Sequence, residues 1–89
     1  MKKTIKNLKK YASAEIAAFV KEARKSQKIT QEDMSKLVET SQSNLSYMER
    51  DQQKISLVDF LIICMRCSAD YESFIKKILE DAEEIKDKE

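Results

Sequence analysis

The residues best equipped for chemistry lie between Gln42 and Arg50, in the run "QSNLSYMER". Placed on a helix at about 100° per residue, Leu45, Met48 and Glu49 fall on one side. Ser43, Ser46, Tyr47 and Arg50 fall on the other, with Gln42 at the leading turn. The outward set is mostly uncharged hydroxyl and amide groups, where a solvated helix ordinarily presents Lys and Glu. Such groups offer directional donors and acceptors, which is what the edge of a nucleic-acid base demands, and a Gln can grip adenine N6 and N7 bidentately. A merely solvated surface is the competing reading, and this segment alone leaves both open.

Other chemistries lack their groups. Histidine is absent, which removes the commonest general base and metal ligand. "CMRC" (64–67) has the spacing of a metal or redox pair. A structural zinc site wants four ligands, and two cysteines without histidine do not supply them. A redox CxxC belongs beside a βαβ unit rather than inside an apolar helix. The two cysteines therefore read as small apolar residues. With no glycine there is no glycine loop for a nucleotide phosphate, and the carboxylates scatter over polar helix faces. We expect no catalytic residues, no metal, no cofactor and no enzymatic activity.

The elements that must position the polar face follow from composition. Eighty-nine residues make one domain with a single core. Without Gly or Pro the usual punctuation of hairpins is missing, and no alternating β-branched run appears, so the fold class is all-α. No apolar run is long enough to span a bilayer, and "LVDFLIICM" (57–65) is interrupted by Asp59. No hydrophobic signal core opens the chain, which points to a cytoplasmic protein. Charge is divided unevenly. Residues 1–28 hold nine Lys or Arg against two Glu, residues 29–69 hold four basic against six acidic groups, and the last twenty hold four against eight. That pattern suggests a basic end that meets an anion and an acidic end that does not.

Five helices are expected. Residues 1–12 carry five lysines and read as a basic arm or an extra turn of helix. Ser13 is a fair N-cap for a first helix over 14–27, with Ile16, Phe19, Val20, Ala23 and Gln27 inward. Thr30, with Asp33 at the capping-box position, opens a second helix over 31–38 whose inward residues are Met34, Leu37 and Val38. Ser41 caps a third over 42–50. Ser56 and Asp59 open a fourth over 57–67, apolar almost all round and so expected at the buried centre. Asp70 and Ser73 open a fifth, with Tyr71, Phe74, Ile75, Ile78, Leu79, Ala82 and Ile85 as its apolar stripe.

Two short helices joined by a tight corner, "ETS", make a helix-turn-helix, an arrangement that holds its second helix out toward the major groove of DNA. Across residues 19–79 the chain resembles the Cro/phage-repressor-type helix-turn-helix family, also called the Xre family. The matching runs are "ARKSQKITQEDMSKL", "SQSNLSYMER" and "ISLVDFLIICMRCSADYESFI", with Thr30-Gln31 opening the second helix and Ser46 followed three residues later by Glu49. The family usually has Gly at the corner and just after the recognition helix, where this chain has Glu39 and Asp51; a left-handed backbone at Glu39 would cost about 1–2 kcal/mol. Ser35 stands where Ala is usual. Arg24 and Glu49 each sit at the edge of an apolar stripe, and because an unpartnered buried charge is costly they are expected to pair. Proteins of the family use such a pair.

The resemblance implies a five-helix bundle of the lambda-repressor-like DNA-binding type with an extended C-terminal helix. It divides the chain into the arm (1–12), a DNA-binding domain (13–79) and an acidic helical extension (80–89). It implies a transcriptional regulator, a repressor in the first instance, that binds a near-palindromic double-stranded operator as a homodimer and is nucleoid-associated when bound. Gln42, Ser43 and Tyr47 are the candidate base contacts. Gln31, Asn44, Arg50 and Lys54 are the candidate phosphate contacts. Ile78, Ala82 and Ile85, beyond what a minimal core needs, are the candidate dimer contacts. The alternative reading is an antitoxin whose terminal segment holds a protein toxin and which regulates its own operon.

Overall fold

A computed structural model describes the backbone of residues 2–87 and the side chains of residues 6–84. Its described residues form five α-helices and no strand: α1 Lys2–Ser26, α2 Gln31–Leu37, α3 Gln42–Glu49, α4 Leu57–Cys67 and α5 Tyr71–Asp87. Four of the five begin at a side-chain cap. Thr30 Oγ1 accepts from the Asp33 amide at 3.1 Å, Ser41 Oγ from Asn44 at 3.0 Å, Ser56 Oγ from Asp59 at 3.1 Å and the Asp70 carboxylate from Ser73 at 3.1 Å. Each satisfies an amide that the helix itself leaves without an acceptor.

The helix ends explain how a chain without glycine turns its corners. Lys28, Glu39, Asp51 and Ser68 adopt left-handed backbone, with φ of 58°, 55°, 58° and 49°. Each follows α1, α2, α3 or α4, and the hydrogen bonds are those of the Schellman motif. The residue after it donates five positions back, Ile29 to Arg24, Thr40 to Ser35, Gln52 to Tyr47 and Ala69 to Cys64. The left-handed residue itself donates three back. Glycine is the usual occupant because it lacks the Cβ that clashes there. Here four ordinary side chains accept the strain in exchange for satisfied carbonyls.

Val20, Met34, Leu45 and Ile63 are fully buried at the centre, drawn from α1, α2, α3 and α4. Burial of such a side chain stabilises by about 1.5–3 kcal/mol. Phe19 stacks on Phe74 with ring centroids 4.1 Å apart, and Phe60 leans against both, fastening α1 and α4 to α5. Cys64 and Cys67 are buried free thiols. Burial pushes both above the ordinary thiol range, with Cys67 adding to the rise at Cys64 and Arg24 partly opposing it at Cys67. They stay protonated and act as core. No helix among the described residues is long and apolar enough to cross a membrane.

Several expectations change. Ser13 is no cap, since α1 is continuous from Lys2 and the Ser13 hydroxyl instead donates to Asp51. Gln27 is exposed in the turn after α1, and Leu37 is more than a third exposed. The fourth helix is not buried all round. Phe60, Ile63, Cys64 and Cys67 face the core, while Leu57, Val58 and Met65 are 71%, 66% and 68% exposed. In α5 the inward line is Phe74, Ile78 and Ala82, each half-buried, and Tyr71, Ile75 and Leu79 lie outward.

Candidate nucleic-acid interface

The position of α3 is set from its inner side. Leu45, Met48 and Glu49 are buried, and Glu49 is the unusual one. Arg24 Nε donates to its Oε2 at 2.6 Å, Arg24 Nη2 to its Oε1 at 3.0 Å, and Gln31 Nε2 to the same oxygen at 3.0 Å. The remaining guanidinium nitrogen, Nη1, donates to the carbonyl of Ile29 at 2.7 Å. A forked, charge-assisted pair of this kind is both strong and directional. It joins the end of α1, the start of α2 and the end of α3, and no buried side-chain polar atom among the described residues lacks a partner.

With that side fixed, the other side must face out. Gln42, Ser43, Tyr47 and Arg50 are exposed and Ser46 is half-buried. Together with Gln31 they line one shallow polar concavity of about 260 Å³. Arg50 lies over the Tyr47 ring, 5.0 Å from its centroid, and its Nε donates to the Ser46 carbonyl at 3.3 Å. That contact holds a planar cation beside a phenol hydroxyl, and cation–π contacts of this sort add about 0.5–1 kcal/mol at exposed sites. The concavity therefore offers two amides, three hydroxyls and one guanidinium, with no carboxylate among its lining residues.

The expected phosphate ligands are differently placed. Gln31 is half-buried and donates one amide hydrogen to Glu49. Asn44 is half-buried and its amide turns back to Thr40 Oγ1 at 2.8 Å, so it braces the corner between α2 and α3. Arg50 and Lys54 are exposed, and Lys54 Nζ reaches Ser13 Oγ at 3.4 Å. Of the expected dimer contacts, Ile78 and Ala82 are half-buried, and Ile85 lies outside the described side chains.

Sequence reasoning did not find the brace from Thr40 to Asn44, the bond from Gln31 to Glu49, or the role of Ser13. The first spans a helix boundary at i,i+4, a spacing that is legible only once the corner is known. The other two span 18 and 38 positions, and no local pattern carries them.

Comparison with protein families gives one match. A family model described as Helix-turn-helix covers residues 20–66, just over half of the chain, from the last two turns of α1 to the last turn of α4. It takes in all of α2 and α3 and both members of the Arg24–Glu49 pair, and leaves out the lysine-rich start of α1 and all of α5. A search of curated proteins finds no match to the chain.

Proposed function

We propose, from the premise that this chain belongs to the Cro/phage-repressor-type (Xre) helix-turn-helix family of DNA-binding transcription regulators, that it is a repressor acting as a homodimer on a near-palindromic operator. The observation that carries the reading is the outward face of α3, polar, largely uncharged and anchored from behind by a buried ion pair. In the major groove, Gln42 at the leading turn bonds a base edge, with Ser43 and Tyr47 beside it. Arg50 and Lys54 meet the phosphates on either side and set the register, and the second amide hydrogen of Gln31 meets a third.

The homodimer reading is supported by apolar surface on α4 and α5. Leu57, Val58, Leu61 and Met65 form one exposed stripe along α4, and Ile75 and Leu79 extend it onto α5. An antiparallel two-fold pairing of α4 about Leu61 sets Leu57 against Met65 of the other copy, so the stripe is complementary to itself. We assign the second copy to this face in preference to Ile78 and Ala82, which α5 turns inward. Dimers of this kind place two recognition helices about one DNA turn apart.

Replacing Gln42 by Ala should leave stability nearly unchanged, because the side chain is exposed. It should remove about 1–3 kcal/mol of discrimination at one base position. Lys54→Ala should weaken binding to all sequences alike and make the salt dependence shallower by about one unit. Both variants are to be titrated against the preferred duplex and its single-base changes. If Gln42→Ala lowers every affinity equally and keeps the base preferences, α3 does not dock by its leading turn.

A further inference from the structure

We infer that the start of α1 forms a second DNA-contacting surface, in which Lys6, Lys9 and Lys10 continue the phosphate track begun by Lys54. The inference rests on the DNA-binding reading and concerns residues outside the family match. It begins with the attachment of α1 to the loop that follows the recognition helix. Ser13 donates to the Asp51 carboxylate and receives Lys54 Nζ, so the middle of α1 is fixed against residues 51–54. Lys9, one turn earlier, lines the same concavity as Ser13, Gln53 and Lys54. Asp51, the one carboxylate in that lining, is engaged by Ser13.

Helical register extends the surface. At about 100° per residue, Lys6, Lys9 and Lys10 all fall within about 60° of Ser13. All three are exposed. Leu8 and Tyr11 fall on the opposite side, and both are half-buried. The Tyr11 hydroxyl donates to Asp81 of α5 at 2.5 Å, which fixes the rotation of this part of α1. The lysine side is thereby held on the same edge as Lys54, and the acidic end of α5 on the other.

The reach is suitable. Lys6 to Ser13 is about 10 Å of helix at about 1.5 Å per residue. Each strand of duplex DNA carries a charge about every 3.4 Å along its axis, so the stripe runs alongside about three phosphates. Because it has ammonium groups and no directional reader, its contribution is independent of sequence.

The test compares two variants that lose the same charge, Lys6→Gln/Lys9→Gln on α1 and Lys76→Gln/Lys77→Gln on α5, by titrating the full chain against its preferred duplex and a random duplex at several salt concentrations. The α1 variant should bind both duplexes more weakly, keep its base preferences, and show a slope of log affinity against log salt shallower by about two units. The α5 variant should keep the wild-type slope. Lys6→Arg/Lys9→Arg, which retains the charge, should also keep it, and that separates lost contacts from lost folding. An unchanged slope for the α1 variant, or equal changes in the two Gln variants, overturns the inference while the DNA-binding reading stands. A wild-type chain that binds neither duplex overturns both.

Discussion

Glu49→Ala should destabilise the domain by about 3–5 kcal/mol, because it leaves the buried Arg24 guanidinium without its carboxylate. Arg24 is 8% and Glu49 6% exposed, so little water reaches either to compensate. Gln31 loses its acceptor in the same step. Against a typical total of about 5–15 kcal/mol for a folded domain, the variant sits near the edge of folding. Arg24→Met should cost a similar amount, since it strands Glu49. The double variant Arg24→Met/Glu49→Ala should recover part of the loss, because two apolar groups leave no charge behind. Urea unfolding of the four proteins gives the coupling energy. Additive single effects would show that the two residues do not depend on each other, and the anchoring of α3 would need another source.

Glycine at the left-handed helix ends should act in the opposite direction. An ordinary residue in that conformation carries about 1–2 kcal/mol of strain, while glycine brings about 0.5–1 kcal/mol of extra unfolded-state entropy. Lys28→Gly/Glu39→Gly together should therefore stabilise by about 1–2 kcal/mol. For a chain of this size each kcal/mol raises the melting temperature by about 4–8 °C. Asp51→Gly should gain less, because its carboxylate accepts from Ser13. Thermal melts of the variants settle the matter. A lower melting temperature for Glu39→Gly would mean that the corner between α2 and α3 is not left-handed, and the orientation of α3 would have to be drawn differently.

What was legible in the sequence was largely local. Thr30, Ser41, Ser56 and Asp70 announce helix starts because their side chains bond amides three residues on, a relation contained in one short window. Arg24 and Glu49 were legible for another reason: charges at the edge of apolar stripes have few places to go. Ser13 misled because a serine beside a helical pattern looks like a cap, whereas its partner lies 38 positions away. The fourth helix misled because apolar residues on every side do not say which side meets the core and which is left exposed. In α5 two adjacent apolar lines compete, and the neighbouring α1 decides that Phe74, Ile78 and Ala82 turn inward. Four glycine-free Schellman ends were foreshadowed only at Glu39 and Asp51, where the resemblance to the family raised the question.

The central claim is that the outward face of α3 reads base sequence. Selection of bound duplexes from a random pool, followed by titration of the recovered sequence and a shuffled control at one fixed salt concentration, tests it most directly. The recovered site should contain two inverted half-sites about one DNA turn apart. It should bind at least about a thousandfold more tightly than the shuffled duplex. A single uninverted half-site would remove the homodimer and keep the reading face. Equal affinity for the recovered and shuffled duplexes would contradict the claim itself.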